Sequence, residues 1–242
     1  MKNEIKTHSA ASLWLNLDWP SGIPLSAPRA LLSLSALGDM PLKPSPPLRV
    51  FSEVEKIFPG KRFVWLNQEH TRFVLLADHE DEICGQIGDG LVADKPETLI
   101  GVSVADCMPV FLWDTANGAR ALCHSGWKGT GIIREALTLM KARYSSNPES
   151  IQAILGPSIR SCCYAVPEER AWQFTAEFGS DTAINRDGNW YIDLAAANKN
   201  ILLSEGIKAV QVHQACTCCD MRFSSYRRQG KALTHMLALC GV

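Results

Sequence analysis

Apolar and polar positions along this chain fall into a few recurring patterns. Short apolar runs bounded by turn-forming residues predict strands at residues 62–66, 71–76, 99–105, 110–113, 119–123, 151–155 and 207–212. Several of these runs show no polar alternation, the mark of strands buried on both faces. Residues 13–17 alternate, as a half-buried strand does. Val50, Val54, Ile57 and Phe58 give residues 48–58 helical spacing, and Pro59-Gly60 stops the helix. Residues 130–144 form an amphipathic helix with Ile132, Ile133, Ala136, Leu137 and Met140 on one side. Residues 167–178 predict a helix with Pro in its first turn. Residues 193–205 predict another, with Asp193 as N-cap and Gly206 past its end. Residues 29–37 fit a strand or a helix equally, and periodicity does not assign residues 231–239.

The stretch Pro41-Leu42-Lys43-Pro44-Ser45-Pro46-Pro47 cannot be regular structure, because its prolines fix φ and remove donors. It reads as a surface loop, since too little chain precedes it to fold alone. No internal repeat or low-complexity segment interrupts the pattern. The expectation is a single mixed α/β domain over residues 1–242.

Composition narrows the function classes. An apolar fraction of 46% supplies a substantial core, and 24 Lys+Arg against 25 Asp+Glu leave no basic footprint for nucleic acid. No apolar run approaches a membrane span. Met1-Lys2-Asn3-Glu4-Ile5-Lys6-Thr7-His8 lacks the apolar centre of a signal peptide. Nine cysteines, an odd count in a chain this long, do not read as a secreted disulfide scaffold. A reduced, cytoplasmic protein, monomeric or homodimeric, is the simpler reading, with no nucleic-acid or membrane partner.

The candidate chemistry gathers around Val104-Ala105-Asp106-Cys107-Met108-Pro109 and His124-Ser125-Gly126-Trp127-Lys128-Gly129. Upstream, Gln68-Glu69-His70 ends another apolar run. One thiolate and two imidazoles at strand ends suit Zn²⁺ with an open fourth position, where a bound water would be acidified. That makes His70, Cys107 and His124 candidate ligands. Spacing alone favours a buried thiol and two satisfied histidines, because three ligands on separate segments are not a compact motif. Asp106 reads either as a general base beside the metal or as a strand-end turn residue.

The glycines around Trp127 and Lys128 open a helix whose free amides favour an anion, though a tight turn would also explain them. Trp127 could stack on a flat ligand, or it is simply packed. Arg222-Phe223-Ser224-Ser225-Tyr226-Arg227-Arg228 fits a phosphate clamp or a solvated basic loop. Cys216-Thr217-Cys218-Cys219 lacks a matching pair at structural-zinc spacing, so no second metal site is expected and Cys218 and Cys219 read as free thiols. His8, His79, His213 and His235 show no partner pattern.

Taken together, the segments resemble the laccase-domain family. These are the YfiH-type "polyphenol oxidase" proteins, also described as purine nucleoside phosphorylases related to FAMIN. The matching pieces are Gln68-x-His70, Asp89-Gly90, the segment from Val104 to Val110, and His124-Ser125-Gly126-Trp127-Lys128-Gly129. Further on come Leu155-Gly156-Pro157-Ser158-Ile159, Cys163-Tyr164-x-Val166, Cys216-Thr217 and Phe223-Ser224-Ser225-Tyr226-Arg227-Arg228. The resemblance implies an α/β sandwich with mixed β-sheets and zinc on His70, Cys107 and His124. It also implies phosphorolysis of adenosine, inosine or methylthioadenosine and deamination of adenosine. In that reading Cys107, Asp106 and His124 are catalytic, while Gln68, Trp127, Lys128, Ser225, Arg227 and Arg228 contact nucleoside and phosphate.

Three departures stand out. Thr71 replaces the family's usual Gly, Leu233-Thr234-His235 stands near its usual Thr-Gly-Arg, and only Leu15-Asn16-Leu17 matches its Asn-Leu-rich N-terminal pattern. The metal ligands are therefore intact, and the substrate-contact regions are divergent.

Other functions use the same residues. A copper oxidase of the laccase type needs many histidines in His-x-His pairs; this chain has six His and no such pair. Copper in the Cys/His site is the form any oxidase activity would take. A metal-free hydrolase would use Cys107 as nucleophile and His124 as base. A binding module that kept the metal is the non-enzymatic alternative.

Overall fold

The structure, a computed structural model, describes residues 13–20, 27–77 and 83–242. His8 and His79 lie outside the described residues. Fourteen strands are described: β1 (Trp14–Leu17), β2 (Arg29–Ser33), β3 (Arg62–Val64), β4 (Val74–Leu76), β5 (Gly90–Ala93), β6 (Thr98–Val104), β7 (Met108–Asp114), β8 (Arg120–Ser125), β9 (Ile151–Leu155), β10 (Ala165–Val166), β11 (Ala183–Arg186), β12 (Asn189–Ile192), β13 (Ala209–Val212) and β14 (Met236–Gly241). The α-helices wholly within the described residues are α1 (Leu48–Ile57), α2 (Ile132–Tyr144), α3 (Glu168–Phe178), α4 (Leu194–Ser204) and a short α5 (Tyr226–Gln229).

Two mixed sheets carry the fold. One has the order β1-β2-β14-β6-β3 and the other β13-β9-β7-β8-β5-β4, with a small β10-β12-β11 sheet beside them. Their side chains sort by the two-residue period of a strand. On β7, Phe111 and Trp113 join the cluster between the two large sheets, while Met108, Val110 and Leu112 face the cluster that holds α2, α3 and α4. On β14, Met236, Ala238 and Cys240 point between the sheets, and Leu237 and Leu239 meet Val50, Val54 and Phe58 of the α1 segment. The result is an α/β/β/α sandwich. Both faces of its central strands are covered, which is why they read as unbroken apolar runs.

The expected strands and helices are present, with shifted ends. Residues 29–37 resolve into β2 followed by a single 3-10 turn at Ser35–Leu37. The Pro-rich stretch 41–47 is irregular, as expected. Asp193 caps α4, accepting from the amides of Ala195 (2.9 Å) and Ala196 (3.1 Å). Pro167 sits at the N-cap of α3, one residue ahead of its expected place in the first turn.

The chain passes from one large sheet to the other between β6 and β7. That corner is Ala105-Asp106-Cys107, and Asp106 turns it with a left-handed φ of 83°, a conformation Asp tolerates better than most residues. β8 lies antiparallel to β7, with His124 opposite Pro109. The topology thus delivers Cys107 and His124 to one end of the sandwich.

Candidate metal centre

His124 lies near the C-terminal end of β8 and is 4% exposed. Cys107 follows the corner after β6. His70 is not at a strand end, as its apolar run suggested: β3 stops at Val64, and His70 sits beyond it in a loop with a left-handed φ of 59°. Two contacts hold that loop. Gln68 spans to β6, its Nε2 donating to the Ser103 carbonyl (2.9 Å) and its Oε1 accepting from the Ser103 amide (2.7 Å). Asp89 does the rest.

Asp89, just ahead of β5, is fully buried. Its carboxylate accepts from the amides of Glu69 (3.2 Å), His70 (3.1 Å) and Thr71 (2.6 Å), and from the Thr71 hydroxyl (2.8 Å). It also hydrogen-bonds His124 Nδ1 at 2.8 Å. One carboxylate therefore fixes the backbone under one candidate ligand and the ring of another. A carboxylate behind a ligating imidazole is the usual second partner at a metal site. Burial pushes the Asp89 carboxyl up, but His124 and then Thr71 outweigh it and hold it below the usual range. Thr71, the departure from the family's glycine, adds the hydroxyl to this network.

One ligand atom each from His70, Cys107 and His124 lies within 4.8 Å of the others, and the two imidazoles meet edge-on with centroids 4.8 Å apart. Gly126 makes room for them: a Cβ there would stand 2.7 Å from Cys107 Sγ and 3.4 Å from His70 Cδ2. Burial pushes the Cys107 thiol up, but His124 and then His70 bring it down to about 6. Burial likewise opposes charge on His124, yet Cys107 and Asp89 raise it to about 10. Each group therefore favours the other's charged form, thiolate on Cys107 and imidazolium on His124. In contrast, burial pushes the core thiols Cys123 and Cys240 up to about 12, leaving them inert. The donor set, its Asp89 support and the clearance at Gly126 all fit a metal ion.

The three candidate ligands open onto a cavity of about 470 Å³, a size that suits a small polar ligand. Its walls include Gln68, Ser103 and Tyr226, with the Lys43 ammonium and the His235 imidazole among the polar groups at its rim. Sequence reasoning missed both side chains. Lys43 comes from the Pro-rich loop and is ion-paired with Glu69; His235 is held by Asp39 through Nδ1 (2.9 Å). It also missed Asp89, whose only sequence signal was its place in a matching Asp-Gly pair.

The other expected contact residues are placed differently. Trp127 and Lys128 line a separate groove with Arg72, Gln173 and Glu177, and the Arg170 guanidinium covers the Trp127 ring at 4.1 Å. The turn after β8 points them away from the cavity. Arg227 gives its guanidinium to the carbonyls of Cys163 (3.1 Å) and Ala165 (3.0 Å). Arg228 does the same for Thr217 and Cys218, both at 2.7 Å. Ser225 is buried and caps α5, accepting from the Arg228 amide at 3.2 Å. Asp106 is also committed: its oxygens accept from the Thr217 hydroxyl and the Arg227 amide, both at 2.7 Å. It faces a small side cavity rather than the large one. These residues form the frame around the centre.

A two-sheet α/β sandwich with a Cys/His₂ donor set at the floor of an open cavity defines a candidate metalloprotein class. The chain belongs to the family described as multi-copper polyphenol oxidoreductase laccase, whose model matches residues 48–242. It is 34% identical over 186 residues to a purine nucleoside phosphorylase of Clostridium acetobutylicum, covering 75% of this chain and 77% of that protein. It is 36% identical over 167 residues to an adenosine deaminase from an unknown prokaryotic organism, covering 66% and 64% respectively. The solved structure of YlmD from Geobacillus stearothermophilus superposes with a TM-score of 0.82 at 26% identity, over 97% of each chain. The expected α/β sandwich and the expected family are thus shown. Among the described residues, no helix is long and apolar enough to cross a membrane.

Proposed function

We propose that this protein is a zinc-dependent purine nucleoside enzyme. It would cleave adenosine, inosine or methylthioadenosine with phosphate and deaminate adenosine, with His70, Cys107 and His124 holding the metal. The observation that carries the reading is the convergence of those three donors, supported by Asp89, on the floor of a nucleoside-sized cavity. The relatives named for purine nucleoside phosphorolysis and adenosine deamination support the substrate class. When bound, the metal supplies a Lewis acid at the cavity floor.

The chain's own residues supply binding and orientation. Lys43 offers positive charge for phosphate at the cavity wall and His235 a ring nitrogen beside it, whereas Lys128 lines a separate groove and the Arg227 guanidinium is engaged by two carbonyls beside the smaller side cavity. Tyr226, 60% exposed, offers an aromatic face to a base. Gln68, Asp106, Ser225 and Arg228 act as positioning residues, because their polar atoms already hold the backbone around the site. Asp89 keeps the His124 ring turned so that Nδ1 faces away from the donor cluster.

The test is product analysis with adenosine, in the presence and absence of phosphate, on metal-loaded protein. Phosphorolysis gives adenine and ribose 1-phosphate only with phosphate; deamination gives inosine and ammonia without it. Release of neither set of products would overturn the proposal.

A further inference from the structure

A second group of donors lies outside the cavity. β9 and β13 are parallel neighbours, pairing Gln152 with Ala209 through Leu155 with Val212, so the loops after them leave the same end of the sheet. The pairing continues past the strands: Ser158 bridges Cys216, and the Thr217 amide donates to the Ser158 carbonyl at 3.1 Å. The first loop carries Cys162-Cys163 in a turn closed by the Cys163 amide on the Arg160 carbonyl (2.9 Å). The second carries Cys216 and Cys219, spaced Cys-x-x-Cys, in a turn closed by the Cys219 amide on the Cys216 carbonyl (3.1 Å).

The four sulfurs lie within 4.8 Å of one another. Cys219 Sγ is 3.3 Å from Cys163 Sγ and 3.7 Å from Cys162 Sγ, and all four cysteines are free. A tetrahedral ion with metal–sulfur bonds of about 2.3 Å has sulfur–sulfur edges of about 3.8 Å. The two shortest observed spacings lie within about 0.5 Å of that value and are too long for a disulfide. They also leave room for one ion rather than an iron–sulfur cluster with its own bridging sulfides.

Two further features suit a tetrathiolate. The Arg160 amide points at Cys216 Sγ at 3.4 Å, the kind of N–H donor that supports a ligating sulfur. A divalent ion with four thiolates carries a net negative charge, and arginines surround both loops. Arg186 binds the Ser161 carbonyl, Arg227 that of Cys163, and Arg228 those of Thr217 and Cys218.

We propose that Cys162, Cys163, Cys216 and Cys219 bind one thiophilic divalent cation of the zinc class in a closed, structural site. Binding releases the four thiol protons to solvent and forms four metal–sulfur bonds, with no change of oxidation state. The ion would pin together two loops that reach the cavity frame. Thr217, between Cys216 and Cys219, donates its hydroxyl to Asp106, and Arg227 joins Cys163 to the same carboxylate. The site uses none of the cavity ligands and is independent of the function proposed above.

The experiment is elemental analysis of protein purified with zinc under reducing conditions, beside Cys107→Ala and the double variant Cys162→Ser/Cys219→Ser. About two zinc per chain in the wild type, and about one in each variant, is expected. Cobalt-loaded Cys107→Ala should show the intense thiolate-to-cobalt absorption of a tetrathiolate site. That readout decides the matter even if the double variant does not fold, because Cys107 is already gone. Cys107→Ala with no bound metal and no such absorption overturns the proposal, as does a Cys163–Cys219 disulfide in the reduced preparation. If only the cavity site failed to bind metal, Cys107→Ala would keep the wild-type count and the cobalt absorption.

Discussion

The floor and the rim of the cavity are built by opposite means. The floor is largely sheet-borne: the Cys107 corner joins the two large sheets, His124 lies buried on β8, and the fully buried Asp89 holds the His124 ring and the backbone of the exposed His70. The rim comes from loops far apart in the chain, with Lys43, Glu69, Tyr226 and His235 partly or largely exposed. The three candidate ligands match the family motifs; of the departures, Leu233 and His235 lie at the rim, while Thr71 joins the Asp89 network behind the floor. The buried Asp89–His124 pair tolerates little change, because the loss of either would orphan the other. Solvent-exposed rim residues carry no such constraint, so ligand preference can vary there without disturbing the centre.

That contrast breaks first at Asp89. Asp89→Ala would orphan three amides and free the His124 ring. The expected result is a loss of about 3–5 kcal/mol in stability and a fall of about 10–100-fold in metal affinity. Denaturant unfolding and metal titration check both, and Asp89→Asn should fall between wild type and alanine. Gly126→Ala comes next. Its Cβ would stand 2.7 Å from Cys107 Sγ, so a cost of about 1–3 kcal/mol is expected, together with loss of metal at the cavity site alone. A variant with unchanged metal content would show that the floor is less tightly packed than described.

The pH dependence is smaller and signed. With Cys107 at about 6 and His124 at about 10 in the metal-free protein, metal must displace the His124 proton between those values. It must displace the Cys107 proton as well below about pH 6. The logarithm of affinity should therefore rise with pH by about one per unit toward pH 10 and more steeply below about pH 6, as metal titration in Cys162→Ser/Cys219→Ser would show. A pH-independent affinity would contradict the thiolate–imidazolium pair. The rim should show the mildest effects: Lys43→Ala and His235→Ala should raise the phosphate KM by about tenfold with little change in Tm. Lys128→Ala, in its separate groove, should leave that KM unchanged. The reverse ranking would return the phosphate role to the helix-opening turn.

Much of the floor was legible in the sequence because β6 to β9 are buried on both faces and so read as plain apolar runs. α2 and α4 were equally clear from periodicity and, for α4, from its Asp193 cap. β14 was not, since an apolar run containing Leu237, Ala238 and Leu239 suits a helix as well as a strand. β5 was missed because it is four residues long and opens on glycine. Asp89 was hidden for a different reason: its partners are amides about twenty residues away, and a lone Asp before Gly looks like a turn. Lys43 and His235 reach the cavity only through tertiary placement. The cysteine cluster escaped spacing rules because an adjacent pair meets a Cys-x-x-Cys unit across a parallel strand pair, a junction no local pattern encodes.

The most direct test of the account is adenosine turnover by Cys107→Ala, measured beside its metal content. The account predicts loss of the cavity metal and turnover at background, while the protein stays folded. Wild-type turnover in a variant that lacks that metal would contradict it.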